Sequence, residues 1–178
     1  MPTILETERL ILRKFTLDDA PFMLELLNSP TWLRFIGDRN VHTLAEAENY
    51  LKNGTLKSYA ENGFGFYAVI EKSEISNQEP IGLCGLVKRE TLPDIDIGFA
   101  FLPDLIGKGY GYEAASATLD YALNVLKIKR LVAIVNADNE KSIGLVKKIG
   151  MTFERMITHG SEEKELMLFG VERKTFSN

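Results

Sequence analysis

Residues 105–115 read LIGKGYGYEAA and hold the densest group of chemically suggestive positions in the chain. Gly107, Gly109 and Gly111 stand at alternate positions, Lys108 lies between the first two, and an alanine-rich, helix-forming run follows at once. Glycines before a helix let backbone N–H groups approach an anion closely, and the helix N-terminus adds its partial positive charge. The stretch therefore reads as a phosphate cradle. A P-loop requires Gly-x-x-x-x-Gly-Lys and then Ser or Thr, but Lys108 is followed by Gly109, so the magnesium-binding hydroxyl is missing. The dinucleotide fingerprint requires Gly-x-Gly-x-x-Gly in a parallel β-α-β unit, with an acidic residue after the next strand. Here the spacing is Gly-x-Gly-x-Gly, and the next apolar run ends in Val135 and Asn136. A merely flexible turn is the plain alternative, but three alternating glycines are entropically expensive.

The elements that must hold this turn can be read from period and punctuation. Residues 8–15 alternate as a strand, with Leu10 and Leu12 on one face. Thr16, followed by Asp18 and Asp19, opens a helix, and Pro30 and Gly37 read as breaks after it. Thr43 and Glu46 form a capping-box pattern for a second helix, which Gly54 interrupts or ends. FGFYAVIE, PIGLCGLVKR and DIDIGFAF are strands, joined by the polar links SEISNQ and ETLP, which predicts an antiparallel meander. A helix is expected over 111–126. The run LVAIV at 131–135 suits a buried central strand, a helix over 140–148 ends at Gly150, and 152–158 with 165–171 make a last hairpin. The order is β-α-α-β-β-β-α-β-α-β-β. It predicts an α+β fold with a mixed, mostly antiparallel sheet flanked by about four helices.

The 178 residues argue for a single domain spanning 1–178, and a 45% hydrophobic share is enough for a core. The net charge of −4 argues against a nucleic-acid partner. One cysteine, Cys84, allows no intrachain disulfide and no cysteine metal site, and its apolar setting reads as a small buried hydrophobe. No window has the roughly 20 apolar residues of a membrane span, and the opening lacks a signal-peptide core. The expectation is a cytoplasmic protein that needs neither metal nor membrane.

Three stretches in register carry a family resemblance. GFAFLPDLIGKGYGYEAA resembles motif A of the GNAT acetyltransferases, in which a strand ends in apolar-x-Pro before a glycine turn and a helix. NADNEKSIGLVKKIGM is similar to the motif that follows, and TERLILRKFTLDDA resembles the opening of the RimJ/RimL-like branch, which acetylates protein N-terminal and other amines. Nearly the whole chain is covered, in the right order. The departures are Ile106 where the branch usually has Trp, Met151 where it usually ends Gly-Phe, and Val146 where many superfamily members carry a tyrosine that serves as general acid.

The resemblance implies acetyl-CoA as cosubstrate and direct attack of a primary amine on its thioester, with no metal and no covalent enzyme intermediate. It implies that backbone N–H groups across Gly107, Lys108, Gly109, Tyr110, Gly111 and Tyr112 hold the pyrophosphate. The Lys108 side chain either meets a phosphate or is solvated. The pantetheine arm is expected along the strand edge at Phe101 and Leu102, with Asn139 touching the arm and Ser142 near the sulfur. Asp96 matches an acidic residue of the branch and is the candidate base, on one strand face with Asp94, Gly98 and Ala100. A pair of aspartates solvated at a strand end is the competing reading. Glu113 is a second carboxylate, suited also to the helix dipole. Ser142 is a candidate proton donor to the leaving thiolate or simply a first-turn hydroxyl. Trp32, Phe35 and Ile36 either border the acceptor or pack. His42 and His159 read as isolated surface residues, and the SEEKE run at 161–165 as a solvated turn. The acceptor is a small-molecule amine or a protein N-terminus, and the chain acts as a monomer or homodimer. The alternative is an acyl-CoA-sensing domain without turnover, which Val146 in place of tyrosine keeps open.

Overall fold

A computed structural model describes residues 2–74, 78–160 and 164–174. Eight strands form one sheet: β1 (Thr3–Glu6), β2 (Leu10–Lys14), β3 (Phe66–Glu71), β4 (Gly82–Val87), β5 (Ile95–Phe101), β6 (Arg130–Val135), β7 (Thr152–His159) and β8 (Lys164–Glu172). Their order across the sheet is β1-β2-β3-β4-β5-β6-β8-β7. Every neighbouring pair is antiparallel except β5 and β6. The α+β fold and the β3-β4-β5 meander are as expected. Residues 75–77 of the first link and 161–163 of the SEEKE run lie outside the described residues.

The helices are α1 (Ala20–Leu27), α2 (Pro30–Phe35), α3 (Leu44–Leu51), α4 (Lys57–Asn62), α5 (Tyr110–Asp120) and α6 (Glu140–Lys148). The capping box is present: Glu46 N donates to Thr43 Oγ1 at 3.2 Å while Thr43 N donates to Glu46 Oε2 at 3.0 Å. Gly54 does not end this helix. The backbone widens to a π-helical turn over Lys52–Leu56 and runs on as α4 until Gly63, at φ 78°, turns it off. A second π-helical turn, Tyr121–Val125, extends α5. Two elements escape the sequence reading. Pro30 starts α2 rather than breaking the chain, because Ser29 caps Trp32 N at 3.4 Å and proline at the first helical position gives up an N–H that has no helical partner. β1 is the other, a short strand with half-exposed residues and no clear period. α3 and α4 are one continuous body, so α2 is the helix beyond the four expected.

Three apolar clusters fill the two sides of the sheet. One packs Phe15, Met23, Leu26 and Leu51 of the α1–α3 side against Ala68, Ile70 and Leu83 of the sheet. The others join α5 and α6 to it through Leu10, Tyr67, Ala114, Leu131, Val146 and Phe169. Each such fully buried leucine or phenylalanine contributes about 2 kcal/mol. Cys84 is among these buried groups, as expected. Burial pushes its thiol up to about 12 despite a 3.3 Å contact with Thr118 Oγ1, so no thiolate forms. No helix among the described residues is long and apolar enough to cross a membrane.

Candidate active site

The three glycines of the opening motif divide between two physical needs. Gly107 and Gly109 adopt φ of 87° and 84°, the left-handed region that side chains resist. Gly111 lies inside α5 and serves packing instead: a Cβ there would stand 2.9 Å from Leu145 Cδ1 of α6. The first hydrogen bond of α5 is from Glu113 N to Gly109 O, 3.1 Å. The N–H groups of Tyr110, Gly111 and Tyr112 therefore precede any helical acceptor and point out of the helix start. Gly109 caps the helix with no side chain to compete for them. The Lys108 side chain is exposed, and the Tyr110 phenol turns inward to donate to Glu71 Oε1 at 2.6 Å.

Sequence reasoning missed what holds this turn. The β1–β2 hairpin tip carries Arg9, whose Nη1 donates to Lys108 O at 3.0 Å and whose guanidinium stacks 4.6 Å over the Tyr110 ring. Arg9 Nη2 is 3.2 Å from where a Cβ on Gly109 would stand. Glu113 anchors Arg9, accepting from its Nε at 2.7 Å, from its backbone N at 2.8 Å, and from Thr7 Oγ1. Burial alone would raise the Glu113 carboxyl, but these donors outweigh it and hold the group below its ordinary value. Glu113 is thus committed as an anion to the hairpin and is no base. The link spans about a hundred residues of sequence, so no local pattern could reveal it.

Beside the turn the sheet parts. β5 and β6 pair only at Ile95↔Leu131 and Asp96↔Val132, then separate. Ladder parity turns the backbone groups of Phe99 and Phe101, and of Ile134 across the gap, into the opening. Leu102 does not share that freedom. Its N–H donates to Ile81 O at 3.1 Å and its carbonyl accepts from Leu105 N at 3.0 Å. The gap broadens into an open cleft of about 1920 Å³, lined by both strands, the glycine turn, α6 and residues of α2–α4.

Helix α6 forms one lip. Asn139 is its N-cap, with Oδ1 accepting from Ser142 N at 3.2 Å, which leaves its NH₂ end unneeded for the cap. Ser142 lines the cleft in the first turn. Val146, one turn on, is fully buried. Its carbonyl accepts from Met151 N at 3.0 Å while Gly150 N donates to Lys147 O at 3.0 Å. This glycine-stopped helix end packs Val146 and Met151 into one core cluster. Val146, which the resemblance aligned with a tyrosine, is here a packing residue at the cleft border.

Asp96 and Asp94 part company. Asp94 accepts from Arg130 Nε at 3.1 Å, in a cluster that also holds Glu154. Asp96 is 2% exposed rather than solvated, lines the cleft where the strands begin to part, and accepts from Arg89 Nε at 2.7 Å. Burial pushes its carboxyl up to about 6 against the opposing charge of Arg89. His159 is not the isolated surface residue expected. It lines the same cleft, with Nδ1 3.5 Å from Thr91 Oγ1, and burial together with Arg89 and Arg39 lowers its pKa, favouring the neutral ring. Phe35 and Ile36 line the cleft too, while Trp32 both lines it and is 6% exposed in the core. Arg39, Arg89 and Tyr50 complete this wall and carried no sequence signal, since each comes from a different element.

Comparison with known proteins agrees with this architecture. The family model for the acetyltransferase (GNAT) domain matches residues 9–152. An uncharacterized N-acetyltransferase of Bacillus subtilis (strain 168), YoaA, is 28% identical over 155 residues, covering 86% of this chain and 85% of that protein. The crystal structure of an acetyltransferase from Agrobacterium tumefaciens str. C58 superposes with a TM-score of 0.79 at 26% identity, covering 97% of this chain and 95% of that one. RimL, a ribosomal L7/L12 alpha-N-protein acetyltransferase solved in complex with coenzyme A, shares the fold at a TM-score of 0.81 and 15% identity, covering 96% and 98%. The chain belongs to the GNAT acetyltransferase family and is an acetyltransferase enzyme.

Proposed function

We propose that this enzyme moves the acetyl group of acetyl-CoA to a primary amine by direct attack on the thioester, the acceptor being a small molecule or a protein N-terminus. One observation carries the reading: a strand-shaped gap between β5 and β6 lies beside a glycine turn whose N–H groups are free at the start of α5, a geometry suited to an anion. A pantetheine arm fits the gap as an added strand on Phe101. A pyrophosphate fits the N–H groups from Gly107 to Tyr112, with Arg9 and Lys108 supplying positive charge nearby. The coenzyme A held by RimL, on the same fold, supports this assignment. The reading favours a working enzyme over a sensing domain.

In the reaction the amine nitrogen attacks the thioester carbonyl carbon, the C–N bond forms and the C–S bond breaks. Asp96 takes the proton the amine must lose, directly or through a water, because an alkylamine is mostly protonated near neutrality. The thiolate leaves beside the first turn of α6, where the helix dipole favours negative charge. Ser142 relays a proton to the thiolate, its hydroxyl giving one to sulfur while taking one from a solvent water, since Val146 has none to give. Asn139 steadies the arm through its NH₂ end. Calorimetry with acetyl-CoA and a thiol-release assay over an amine panel test the whole reading. Absence of binding at millimolar acetyl-CoA would sink it.

Ser142→Ala tests the donor. The expected result is turnover slowed about tenfold, at the lower end of the effect of a positioned proton donor, with acetyl-CoA still bound. A rate within a few-fold of the parent would mean that the thiolate departs unaided.

A further inference from the structure

The wall of the cleft facing Asp96 gathers positive charge and hydrogen-bond donors. Arg89 spends its Nε on Asp96, and its side chain remains 30% exposed. Arg39 sits exposed on the loop after α2 and lines the same cleft. Tyr50 and His159 line this cleft together with the two arginines. Trp32 contributes a buried indole to the wall, and Nε1 has no acceptor among the described residues. Nε1 is closed off from solvent as well as from partners, so Trp32 lends the wall packing rather than a donor.

Of the carboxylates that line the cleft only Asp96 is buried, and three of the exposed ones make local contacts. Asp38 accepts from Asn40 N at 2.7 Å, Glu46 from His42 N at 2.7 Å, and Glu61 pairs with Lys57 at 3.7 Å. Asp96 itself holds Arg89. A polyamine would bring more positive charge to two guanidinium groups and find only one buried carboxylate there.

We infer that the acceptor is an amine that also carries a carboxylate, with the carboxylate seated between Arg39 and Arg89 and the amine directed at Asp96. Arginine suits this task because its planar fork binds a carboxylate through paired hydrogen bonds. Tyr50, on the same cleft, donates to the same anionic group. Two sources share this chemistry: a free amino acid, and a peptide whose first residue is acidic. The inference rests on the acetyl-transfer reading above and narrows its acceptor.

The test uses the full chain, acetyl-CoA and matched acceptors: a free amino acid against its α-carboxamide (glycine against glycinamide), a peptide beginning with Glu against the same peptide beginning with Gln, and spermidine. Acetylated product is followed by mass spectrometry. The acidic member of at least one pair is expected to exceed its amide by about 10- to 100-fold in kcat/KM, the size of one or two charge-assisted hydrogen bonds. The pair that shows the preference identifies the source. Arg39→Gln is expected to shrink the acid-to-amide ratio towards one while acetyl-CoA affinity, measured by calorimetry, stays as in the parent. Equal use of acid and amide, best use of spermidine, or no product from either pair while acetyl-CoA binds would overturn the inference and leave the cofactor site standing. Failure of acetyl-CoA to bind would instead overturn the reading beneath it.

Discussion

Asp96→Asn is expected to lower turnover by about 10²-fold or more, the usual effect of losing a general base, with little change in acetyl-CoA affinity. The parent rate should rise through a pH of about 6, where the Asp96 carboxyl ionises, and that limb should vanish in the variant. An unchanged pH–rate profile would return Asp96 to a role in positioning Arg89 and leave the neutral His159 as the remaining base in the cleft. Stability gives an independent readout. The folded value of this carboxyl lies above its unfolded one, so the native state holds the proton more tightly. That preference stabilises the fold in acid and is lost as pH rises through about 6. At pH 8 the ionised, buried form therefore costs on the order of 2–3 kcal/mol. Asparagine removes the charge and keeps an oxygen for Arg89. The variant should melt no lower than the parent at pH 8, and a clear loss of Tm would contradict the burial argument.

Gly109→Val is expected to weaken acetyl-CoA binding by at least about tenfold. Two effects add. A left-handed backbone costs an L-residue about 1–2 kcal/mol, more when it is β-branched, and Gly109 sits at φ 84°. The new side chain also enters the space of Arg9 Nη2, 3.2 Å from the Cβ position, and pushes at the clamp that fixes Lys108. Titration calorimetry on the purified variant decides the matter. Normal affinity in a folded variant would place the phosphates elsewhere. Gly107→Ala is the gentler control, since φ is also positive there but a Cβ meets nothing within 4 Å.

Much of this was legible in the chain because local physics dictated it. The β3-β4-β5 strands were runs rich in β-branched and aromatic residues parted by polar links, the Thr43 capping box closed as written, and Gly150 stopped α6 with two backbone bonds. The glycine turn was legible for its type, but not for its division of labour. Gly111 looks like its neighbours until Leu145 of α6 is brought against it. Pro30 misled because proline ends one helix and begins another by the same missing N–H. Of the proposed acceptor wall only Trp32, Phe35 and Ile36 were legible. Arg39, Tyr50, Arg89 and His159 lie on a loop, a helix, a strand end and a distant strand, and only the closed fold makes them neighbours. The same holds for Arg9 and Glu113, which meet across the sheet edge and the helix start.

The gap between β5 and β6 also bears on solubility. An unpaired strand edge is ordinarily a template on which another chain can build, and proteins usually blunt such edges at the rim of a sheet. Here the bare backbone of Phe99, Phe101 and Ile134 lies inside the sheet, in a slot shut at one end by the Asp96↔Val132 pair. Tyr112 and Lys148, 4.2 Å apart in a cation–π contact, tie α5 to α6. A neighbouring sheet cannot be slid into such a slot, because it would have to bring its own side strands with it. A lone, unbranched arm can. The fold thus keeps a reactive edge open for a slender guest while closing it to self-association, using the taper of two strands as the filter.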